Sequence, residues 1–569
     1  MKKRTAILLL IFIGFLVYFP SLSNNFILGD DTDQIVENTQ IQDLHTIPSF
    51  FTGSTYYRPE NNQLYGLYYK QFMMIAYTVI YQFAGLDPLP YHLFQLILHI
   101  TNGILIFFLF QKFFSKEISW FLSLLFIIHP ANSEIVLWAS TLQDVLYTFF
   151  GLVTLLLLSS EENLEKTRRI LLIGILLLSS LFSKETGVIF LALSCIYVAF
   201  FHFTYLKKII VITSLIFLIY TFFRFGIAHI GFGNEAISQI SRASFATRML
   251  NMPFLVIKYV LLFIFPYRLE THQNWLITKF SFQHVIVPFI SIGFISFVAF
   301  KLGTYIRKKK QNLWKPYLFF SFWTVLGLLP HLHIIPLDEI FSERWIVISL
   351  IGFLGILGIV ATAFEKKLHF KRLTFLLLGI VLLFASQSFI RGLNWKDSET
   401  LFSHDLKTAQ GNYYLENLYA SVLINQERFI EAQPYVERSL SGYRFLSNLN
   451  NMGIILMKQK NYDEANKYFI ESIEQDYNYP LIQNYVNFLV FIKKDNEKAK
   501  SIAEKYLSEY PHAGYLWMAL AIAESNLGNH EKALTSALKA TQLTSAPIVQ
   551  KVYDDIMQNK SPDVTQFLK

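Results

Sequence analysis

The first 31 residues, MKKRTAILLLIFIGFLVYFPSLSNNFILGDD, place two carboxylates just beyond an apolar segment. Residues 5–19 are apolar and follow a basic start, so they predict a membrane span whose amino terminus stays in the cytoplasm. The chain then emerges on the outer side, with Asp30 and Asp31 a few residues beyond the bilayer surface. A carboxylate pair at a membrane rim is costly to desolvate, which favours a chemical role.

The same segment also has the features of a cleaved signal peptide. It has a basic start, an apolar middle and small residues at Ser21 and Ser23. Asp30 lies outside the cell membrane on either interpretation.

The composition is typical of a membrane protein with a polar tail. Of the 569 residues, 53% are hydrophobic and 16% are charged, against roughly 25% charged in soluble domains. The net charge is +8, and positive residues cluster in short loops at 207–208, 307–310 and 366–372, which is the positive-inside pattern and argues against nucleic-acid binding. Because Cys195 is the one cysteine, the sequence excludes disulfides within the chain and cysteine metal sites.

The hydrophobic runs predict eleven crossings, with the carboxyl-terminal tail outside. After the first, the candidate spans are 92–111, 118–137, 140–159, 170–184, 187–205, 209–228, 283–300, 316–330, 345–363 and 373–390. Residues 252–266 are apolar but short, and we interpret them as a re-entrant or surface-lying helix in a long external loop, 229–282. The first external loop is 23–90, and its part 63–83 is rich in Tyr and Phe, as expected at a headgroup interface.

A repeat follows the membrane region. Its marker residues are Ala432, Ala465, Ala499 and Ala533, with spacings of 33, 34 and 34 residues. This period is that of tetratricopeptide repeats, which stack into a solenoid with a concave face. The sequence thus predicts a membrane domain at 1–395 and about four repeats at 402–569, suited to binding a protein or peptide.

Two motifs in the first external loop are candidates for chemistry. One carboxylate of Asp30-Asp31 is suited to take a proton from an acceptor hydroxyl, while the other positions it or binds a metal. The alternative is a solvated loop start. Arg58, in Tyr57-Arg58-Pro59, is suited to clamp a phosphate, although anchoring to lipid headgroups explains this arginine better when it is taken alone.

Polar residues also stand at three other junctions between apolar spans. His129-Pro130, with Glu134 and Asp144, predicts either a phosphate-binding or proton-donating histidine, or a hydrogen-bonded turn. Lys184-Glu185 and Glu343-Arg344 are either substrate-binding groups or internal ion pairs. The loop before Glu343 also holds histidines and carboxylates, but their spacing has no zinc-like regularity, and we predict no metal site from His331, His333, Asp338 and Glu339.

All these candidates lie at the predicted outer ends of spans. The sequence has no Gly-rich phosphate loop, nucleophile elbow or zinc-protease motif, which argues against a soluble nucleotide donor. We therefore expect one outward-facing site that reaches a lipid-borne substrate from the side.

In this order the motifs resemble a known family. Asp30-Asp31, Tyr57-Arg58-Pro59, the His129-Pro130 stretch with Glu134 and Asp144, Lys184-Glu185-x-Gly187, Glu343-Arg344 and the repeat tail are similar to the transmembrane and tetratricopeptide-repeat O-mannosyltransferases. These belong to the broader GT-C glycosyltransferases. The resemblance implies an all-α, polytopic GT-C-type fold in which Asp30 is the catalytic acid and Asp31 the second acid of the pair.

The resemblance also implies a reaction and its partners. The donor is a polyprenyl-phosphate sugar, typically mannose, and the acceptor is a Ser/Thr hydroxyl of an exported protein. In an inverting transfer, the leaving phosphate would be stabilised by Arg58, Lys184 or Arg344. The remaining candidates, His129, Glu134, Asp144, Glu185 and Glu343, would bind donor or substrate. A divalent cation at Asp30-Asp31 is compatible with this scheme but not required.

Two departures and two rival functions stay open. Residues 140–144 lack the arginine of animal members, and the repeat array is short. With the low charge, compact loops and basic start, this indicates a prokaryotic member. The rivals are a ligase or polymerase of lipid-linked oligosaccharides, and a non-enzymatic scaffold anchored in the membrane of the cell envelope. A carboxylate pair in the first loop disfavours the first, and eleven spans disfavour the second.

Overall fold

The computed structural model describes residues 2–160, 166–231, 238–365, 370–409, 411–475 and 478–562, with residues 370–374 described by their backbone alone. Residues 232–237 of the predicted external loop and 366–369 of the basic loop 366–372 lie outside this range. The chain divides into two compact units. The first contains Met1–Tyr56 and Tyr65–Ala409, and the second contains Tyr57–Leu64 and Gln410–Lys569.

The first unit is a bundle of long apolar helices. Eleven of its described helices correspond in order to the eleven predicted spans, although the helix within the span predicted at 118–137 ends at Ile128. They are Lys3–Tyr18, Pro88–Phe110, Lys116–Ile128, Leu142–Ser159, Thr167–Ser183, Val188–Phe201, Leu206–Thr221, Val287–Lys309, Trp314–Leu328, Val347–Phe364 and Phe370–Asn394. The predicted all-α class is confirmed.

Contacts identify which loops share an end of this bundle. At the basic end, the indole Nε1 of Trp120 donates to the carbonyl of Ala6 over 3.0 Å, so the amino terminus lies beside the start of the helix Lys116–Ile128. At the opposite end, here called the Asp30 end, the amide of Leu28 donates to Ser398 Oγ over 2.8 Å. The first external loop and the segment after the last long helix therefore lie together.

Length and composition alone select fewer helices as membrane spans. Eight described helices are long and apolar enough to cross a membrane, or nine if the pair Lys116–Ile128 and Pro130–Leu137, bent by 51°, counts as one. The eight include Phe245–Ile264. The apolar run predicted to be short at 252–266 thus lies mostly within a helix of 20 residues. The number of crossings stays a prediction.

The helix Phe245–Ile264 nevertheless keeps both its ends at the Asp30 end. Near its start, Arg248 Nε donates to the carbonyl of His333 over 3.0 Å. Near its finish, the carbonyl of Phe263 lies 3.2 Å from His129 Nε2. His129 and His333 both belong to loops at the Asp30 end. The chain therefore enters and leaves this helix on one side, as predicted for a surface-lying segment.

The first external loop carries its own elements. The helix Gln71–Ala84 buries Met73 and Tyr77 and exposes Val79 and Phe83, so it has one apolar face outside the unit. Before it comes a hairpin of the strands Tyr56–Arg58 and Gln63–Tyr65. The short helical segments at this end of the bundle are Phe19–Ser23, Thr32–Val36, Thr39–Gln42, Leu44–Thr46, Ile47–Phe50, Pro130–Asn132, Glu134–Leu137, Ala139–Thr141, Glu185–Gly187, Phe222–Ile227, Gln239–Arg242, Phe282–Ile286, Leu329–His331, Glu343–Ile346 and Ser398–Asp405.

The second unit consists of stacked helix pairs. Its described helices are Tyr413–Asn425, Phe429–Gly442, Leu446–Lys458, Tyr462–Gln475, Tyr479–Asn487, which continues to Lys493, Asn496–Leu507, Gly514–Asn526, His530–Leu543 and Pro547–Met557. The four marker alanines lie in the second helix of each pair, and each is fully buried. Such small residues let paired helices approach closely, which explains their spacing. The hairpin tip belongs to this unit, because the amide of His512 donates to the carbonyl of Glu60 over 2.7 Å.

Candidate functional site

Asp30 and Asp31 are neighbours with different surroundings. They follow Gly29, whose φ of +112° strongly favours glycine and turns the chain into the bundle. Asp31 is fully buried, and its two carboxylate oxygens accept hydrogen bonds from the amides of Ile27 over 2.8 Å and Ser140 over 2.7 Å. Asp31 therefore ties the first loop to the loop before the helix Leu142–Ser159.

Asp30 is partly exposed, and its carboxylate belongs to a polar network. The hydroxyl of Tyr56 donates to Asp30 Oδ1 over 3.2 Å, and Gln34 Nε2 donates to the same hydroxyl over 3.2 Å. Burial and the nearby carboxylates raise the pKa of Tyr56 well above its usual value, so its hydroxyl stays a donor. One carboxylate of the pair is thus locked into the fold, and the other faces a group of polar side chains.

A second tyrosine–carboxylate pair lies beside the first. The hydroxyl of Tyr68 donates to Asp338 Oδ2, and the Tyr56 and Tyr68 rings lie edge to face with centroids 6.5 Å apart. Burial raises the pKa of Tyr68 well above its usual value, and the carboxylate of Asp338 adds to this shift. The loop before Glu343 and the first external loop therefore meet at Asp30.

Lys70 is a cation that the sequence analysis did not single out. Its side chain is buried, and its ammonium lies 4.4 Å from the centroid of the Tyr68 ring. Burial lowers the pKa of Lys70, and the carboxylates of Asp30 and Glu185 partly offset this effect. The sequence does mark this residue, because Lys70 is the one charged residue in the aromatic stretch 63–83.

The structure brings Glu134 and Arg344 together. Their side chains form a buried ion pair, and Glu134 Oε2 also accepts a hydrogen bond from the Arg344 amide over 3.0 Å. The guanidinium of Arg344 reaches Glu339 over 3.5 Å and lies 5.3 Å from the Trp138 ring. Burial raises the pKa of Glu339 and lowers that of His272, whose Nε2 is 3.9 Å from Glu339. Of these, Trp138 and His272 were not predicted.

Lys184 and Glu185 face different partners. The ammonium of Lys184 contacts Asp144 Oδ1 at 2.6 Å. Glu185 Oε1 accepts from Arg224 Nη1 over 2.6 Å and from the amide of Tyr69 over 2.8 Å, which holds the residue before Lys70. Lys184 and Asp144 thus form one pair, and Glu185 anchors the first loop.

Three predicted site residues lie in other settings. Both ring nitrogens of His129 are engaged, since Nδ1 accepts from the amide of Ala131 over 3.3 Å and Nε2 bonds to Phe263. Glu343 is buried and accepts from the amide of Glu270 over 2.5 Å. Arg58 belongs to the hairpin tip in the second unit. The roles assigned to these three stay predictions.

The described residues contain no group of three or more His, Cys, Asp or Glu side chains arranged to hold a metal ion. At the acidic pair, the two oxygens of Asp31 already accept main-chain hydrogen bonds. A cation predicted there would depend on Asp30, and metal dependence stays a prediction.

The repeat region and most of the chain resemble known proteins. Residues 446–479 match the tetratricopeptide repeat. Human protein O-mannosyl-transferase TMTC3 is 21% identical over 452 residues, which cover 74% of this chain and 49% of that protein. The Caenorhabditis elegans protein O-mannosyl-transferase F38B6.6 is 23% identical over 421 residues, covering 71% of this chain and 58% of that protein. The chain spans about half the length of the curated relatives it matches.

Solved structures show a more distant likeness. ArnT from Cupriavidus metallidurans bound to undecaprenyl phosphate has a TM-score of 0.40 and 14% identity, over 100% of this chain and 91% of that one. AglB from Archaeoglobus fulgidus, in complex with an inhibitory peptide and a dolichol-phosphate, has a TM-score of 0.38 and 12% identity, over 75% and 59%. The sequence matches confirm the resemblance predicted from the motifs: over most of its length this chain is similar to protein O-mannosyl-transferases, and its residues 446–479 match the tetratricopeptide repeat.

Proposed function

We propose that the chain is a membrane glycosyltransferase that moves a sugar, typically mannose, from a polyprenyl-phosphate donor to a Ser/Thr hydroxyl of an exported protein. The observation that carries this proposal is the contrast within the acidic pair. Asp31 is held by two main-chain amides, while Asp30 faces a cluster that contains Lys70 and a network of hydroxyl donors. The names of the curated relatives support the same reaction class.

In the proposed step, the Asp30 carboxylate accepts the proton of the acceptor hydroxyl. The hydroxyl oxygen attacks the anomeric carbon from the face opposite the phosphate, and a new C–O bond forms as the bond to the phosphate oxygen breaks. The polyprenyl phosphate leaves with that electron pair, and the configuration inverts. Asp31 and the Tyr56 hydroxyl position Asp30 for this transfer.

Cations near Asp30 suit the leaving phosphate. Lys184 and Arg344 each already contact a carboxylate. The ammonium of Lys70 instead lies over an aromatic ring, with no ion-pair partner within 4.0 Å among the described residues. A buried cation stabilises a developing phosphate charge more strongly than a solvated one does. We therefore place the donor phosphate at Lys70, while the predicted contribution of Arg58 remains to be measured.

The free-energy cost of burying charged side chains disfavours the alternative function, a scaffold anchored in the membrane. Charged side chains from several loops meet at the Asp30 end, and Glu134, Asp144 and Glu343 are buried there. Burying charges of this kind is expensive, and a scaffold would gain nothing from it.

The test is transfer by the purified chain in detergent, with a polyprenyl-phosphate mannose donor and a peptide that contains serine and threonine. Asp30→Asn should lower kcat at least about 100-fold, the usual contribution of a positioned base. The control is Glu37→Gln, an exposed carboxylate of the same loop, which should transfer at the wild-type rate. A folded Asp30→Asn variant with near-normal transfer would refute the assignment. An α to β change, or the reverse, at the transferred sugar reports inversion.

A further inference from the structure

One position of the repeat changes character in the fourth copy. The residues that lie nine positions before the four marker alanines, in the first helix of each repeat, are Leu423, Leu456, Val490 and Glu524. Leu423 and Val490 are buried, as apolar residues at a packing position should be. Glu524 is only 3% exposed, although it carries a carboxylate. The repeat pattern therefore does not explain the glutamate.

Glu524 has a hydrogen-bond partner but no ion-pair partner in contact with it, although Lys500 and Lys532 are near enough to favour its ionised form. Ser536 Oγ donates to Glu524 Oε2 over 2.8 Å, and no described lysine or arginine lies within 4.0 Å of the carboxylate. Burial raises the pKa of Glu524, and the Ser536 hydrogen bond and the charges of Lys500 and Lys532 offset only part of that effect, so the buried carboxylate is incompletely compensated. Its retention at a position that elsewhere holds valine or leucine indicates a partner from outside the chain.

The carboxylate lines a cavity of about 710 Å³. The cavity lies between the helices Asn496–Leu507, Gly514–Asn526 and His530–Leu543. Its charged lining residues are Glu504, Glu524, Glu531 and Lys532, three carboxylates against one ammonium. Trp517 forms an aromatic wall, and its indole Nε1 donates to the carbonyl of Pro511 over 3.0 Å, which orients the ring.

An equivalent groove lies between the first two repeats and provides a comparison. Its volume is about 390 Å³. Four of its lining residues correspond in repeat register to residues of the larger cavity, with Glu437, Leu440, Ser441 and Met452 matching Glu504, Leu507, Ser508 and Leu520. At the position of Glu524 the smaller groove has Leu456. The buried carboxylate and the larger volume thus distinguish the fourth repeat.

We propose that this cavity binds one lysine or arginine side chain of an extended protein segment. The cationic head would pair with Glu524 and lie near Glu504 and Glu531, and its aliphatic stem would pack on Leu507 and Leu520. Trp517 adds a ring face for the cation. The complementary charge selects a basic side chain over an acidic or neutral one. This binding site does not depend on the proposed glycosyl transfer.

The test measures peptide binding to the full chain in detergent by isothermal titration calorimetry. The probe is the N-acetylated, C-amidated peptide Gly-Ser-Leu-Arg-Leu-Ser-Gly, compared with peptides that carry citrulline or glutamate in place of the arginine. We expect the arginine peptide to bind at least about tenfold more tightly than the citrulline peptide, and the glutamate peptide not to bind. Equal binding of the arginine and citrulline peptides, or no binding of the arginine peptide, would overturn the proposal.

Two variants separate binding from folding. Glu524→Gln should weaken the arginine peptide at least about tenfold, while Glu437→Gln in the smaller groove should not change its affinity. Glu524→Val restores the residue type of the other repeats. It should abolish binding and leave the melting temperature unchanged or higher, because it removes a buried charge that the chain compensates only in part. A lower melting temperature for Glu524→Val would show that the carboxylate serves the fold, and the proposal would fail.

Discussion

At the scale of single residues, surroundings separate two aspartates that are adjacent in the sequence. Asp31 accepts two main-chain hydrogen bonds in a fully buried setting. Asp30 accepts a tyrosine hydroxyl and remains partly exposed. Only the second arrangement leaves a carboxylate able to take a proton from a substrate. The first is a structural anchor, and its substitution should affect stability more than chemistry.

The Asp31 anchor has a pH dependence of defined sign. Burial raises the pKa of Asp31 to about 7, whereas the pKa of an aspartate in an unfolded chain is about 3.9. The folded pKa is the higher one, so this group costs no stability below about pH 4. The folded state then loses stability as the pH rises from about 4 to about 7, because only the unfolded chain ionises freely in that window.

Asp31→Asn should therefore destabilise the protein most at low pH. The amide leaves one of two buried main-chain N–H groups without an acceptor, at a cost of about 1–3 kcal/mol. The asparagine does not ionise, so the melting temperature of the variant should fall further below wild type at pH 5 than at pH 8. Melting curves in detergent measure this. Glu37→Gln is the control, and a constant difference for Asp31→Asn at both pH values would contradict the assigned titration.

Lys70 permits a second test at this scale. Lys70→Gln removes the cation proposed to receive the donor phosphate, and kcat/KM for the donor should fall about 100- to 1,000-fold. Lys70→Arg should recover part of the loss, because it restores the positive charge. If Lys70 served only the packing of the fold, arginine would not restore kcat/KM. Lys279→Gln, at an exposed lysine outside the cluster, should behave as wild type. A Lys70→Gln variant that raises the KM for the acceptor peptide alone would place Lys70 away from the phosphate.

At the scale of elements, the length of the helix Phe245–Ile264 and the position of its two ends lead to different topologies. It is long and apolar enough to cross a membrane. Its contacts with His333 and His129 nevertheless keep both of its ends at the Asp30 end. If it does not cross, the following helix Val287–Lys309 starts outside and delivers its basic carboxyl-terminal turn to the cytoplasm, in agreement with the positive-inside rule.

Cysteine labelling tests this topology. In a Cys195→Ser background, which removes the one native cysteine, Ser244→Cys and Lys279→Cys should both react with an impermeant maleimide added outside intact cells. Lys309→Cys should react only after the membrane is opened. If Ser244→Cys labels from outside and Lys279→Cys only from inside, the helix crosses the membrane and the eleven-span order is wrong. Labelling yields after permeabilisation control for access.

At the scale of the whole molecule, we expect separate tasks for the membrane unit, which holds the candidate site, and for the repeat unit, which is suited to protein binding. The boundary follows Ala409 and not the end of the last long helix. Asp405 explains this, because its carboxylate pairs with Arg391 at 2.5 and 3.1 Å and accepts from the amide of Thr271 over 2.8 Å. Burial opposes ionisation of Asp405, but the Arg391 charge outweighs it and holds the pKa of Asp405 below its usual range.

Truncation after Ala409 should therefore separate the two tasks. A solenoid binds an extended partner through many weak contacts, which raises the local concentration of acceptor without lowering the barrier to sugar transfer. The truncated chain should lose use of a protein acceptor and keep transfer to a short peptide at high concentration. The measurement is transfer to both acceptors by purified, folded protein. If both activities fall together, the repeats are part of the catalytic fold.

The sequence by itself determined the order of helices and the presence of repeats. Hydropathy and a 34-residue period can be read from the order of residues, and they do not depend on how the helices pack. The apolar helices of the first unit and the repeat tail were therefore predictable from the chain alone. So was the set of polar residues at the outer ends of spans, since charge in an apolar stretch is visible without a structure.

The tertiary structure alone decided how these residues combine. Glu134 and Arg344 are 210 positions apart, and Asp31 and Ser140 are 109 positions apart, yet each pair is in contact. Whether a carboxylate is buried or accessible depends on which loops cover it, and Lys70 and Tyr68 become site residues only when the first loop folds over the bundle. Burial and Coulomb forces depend on distance in space, which the order of residues does not record.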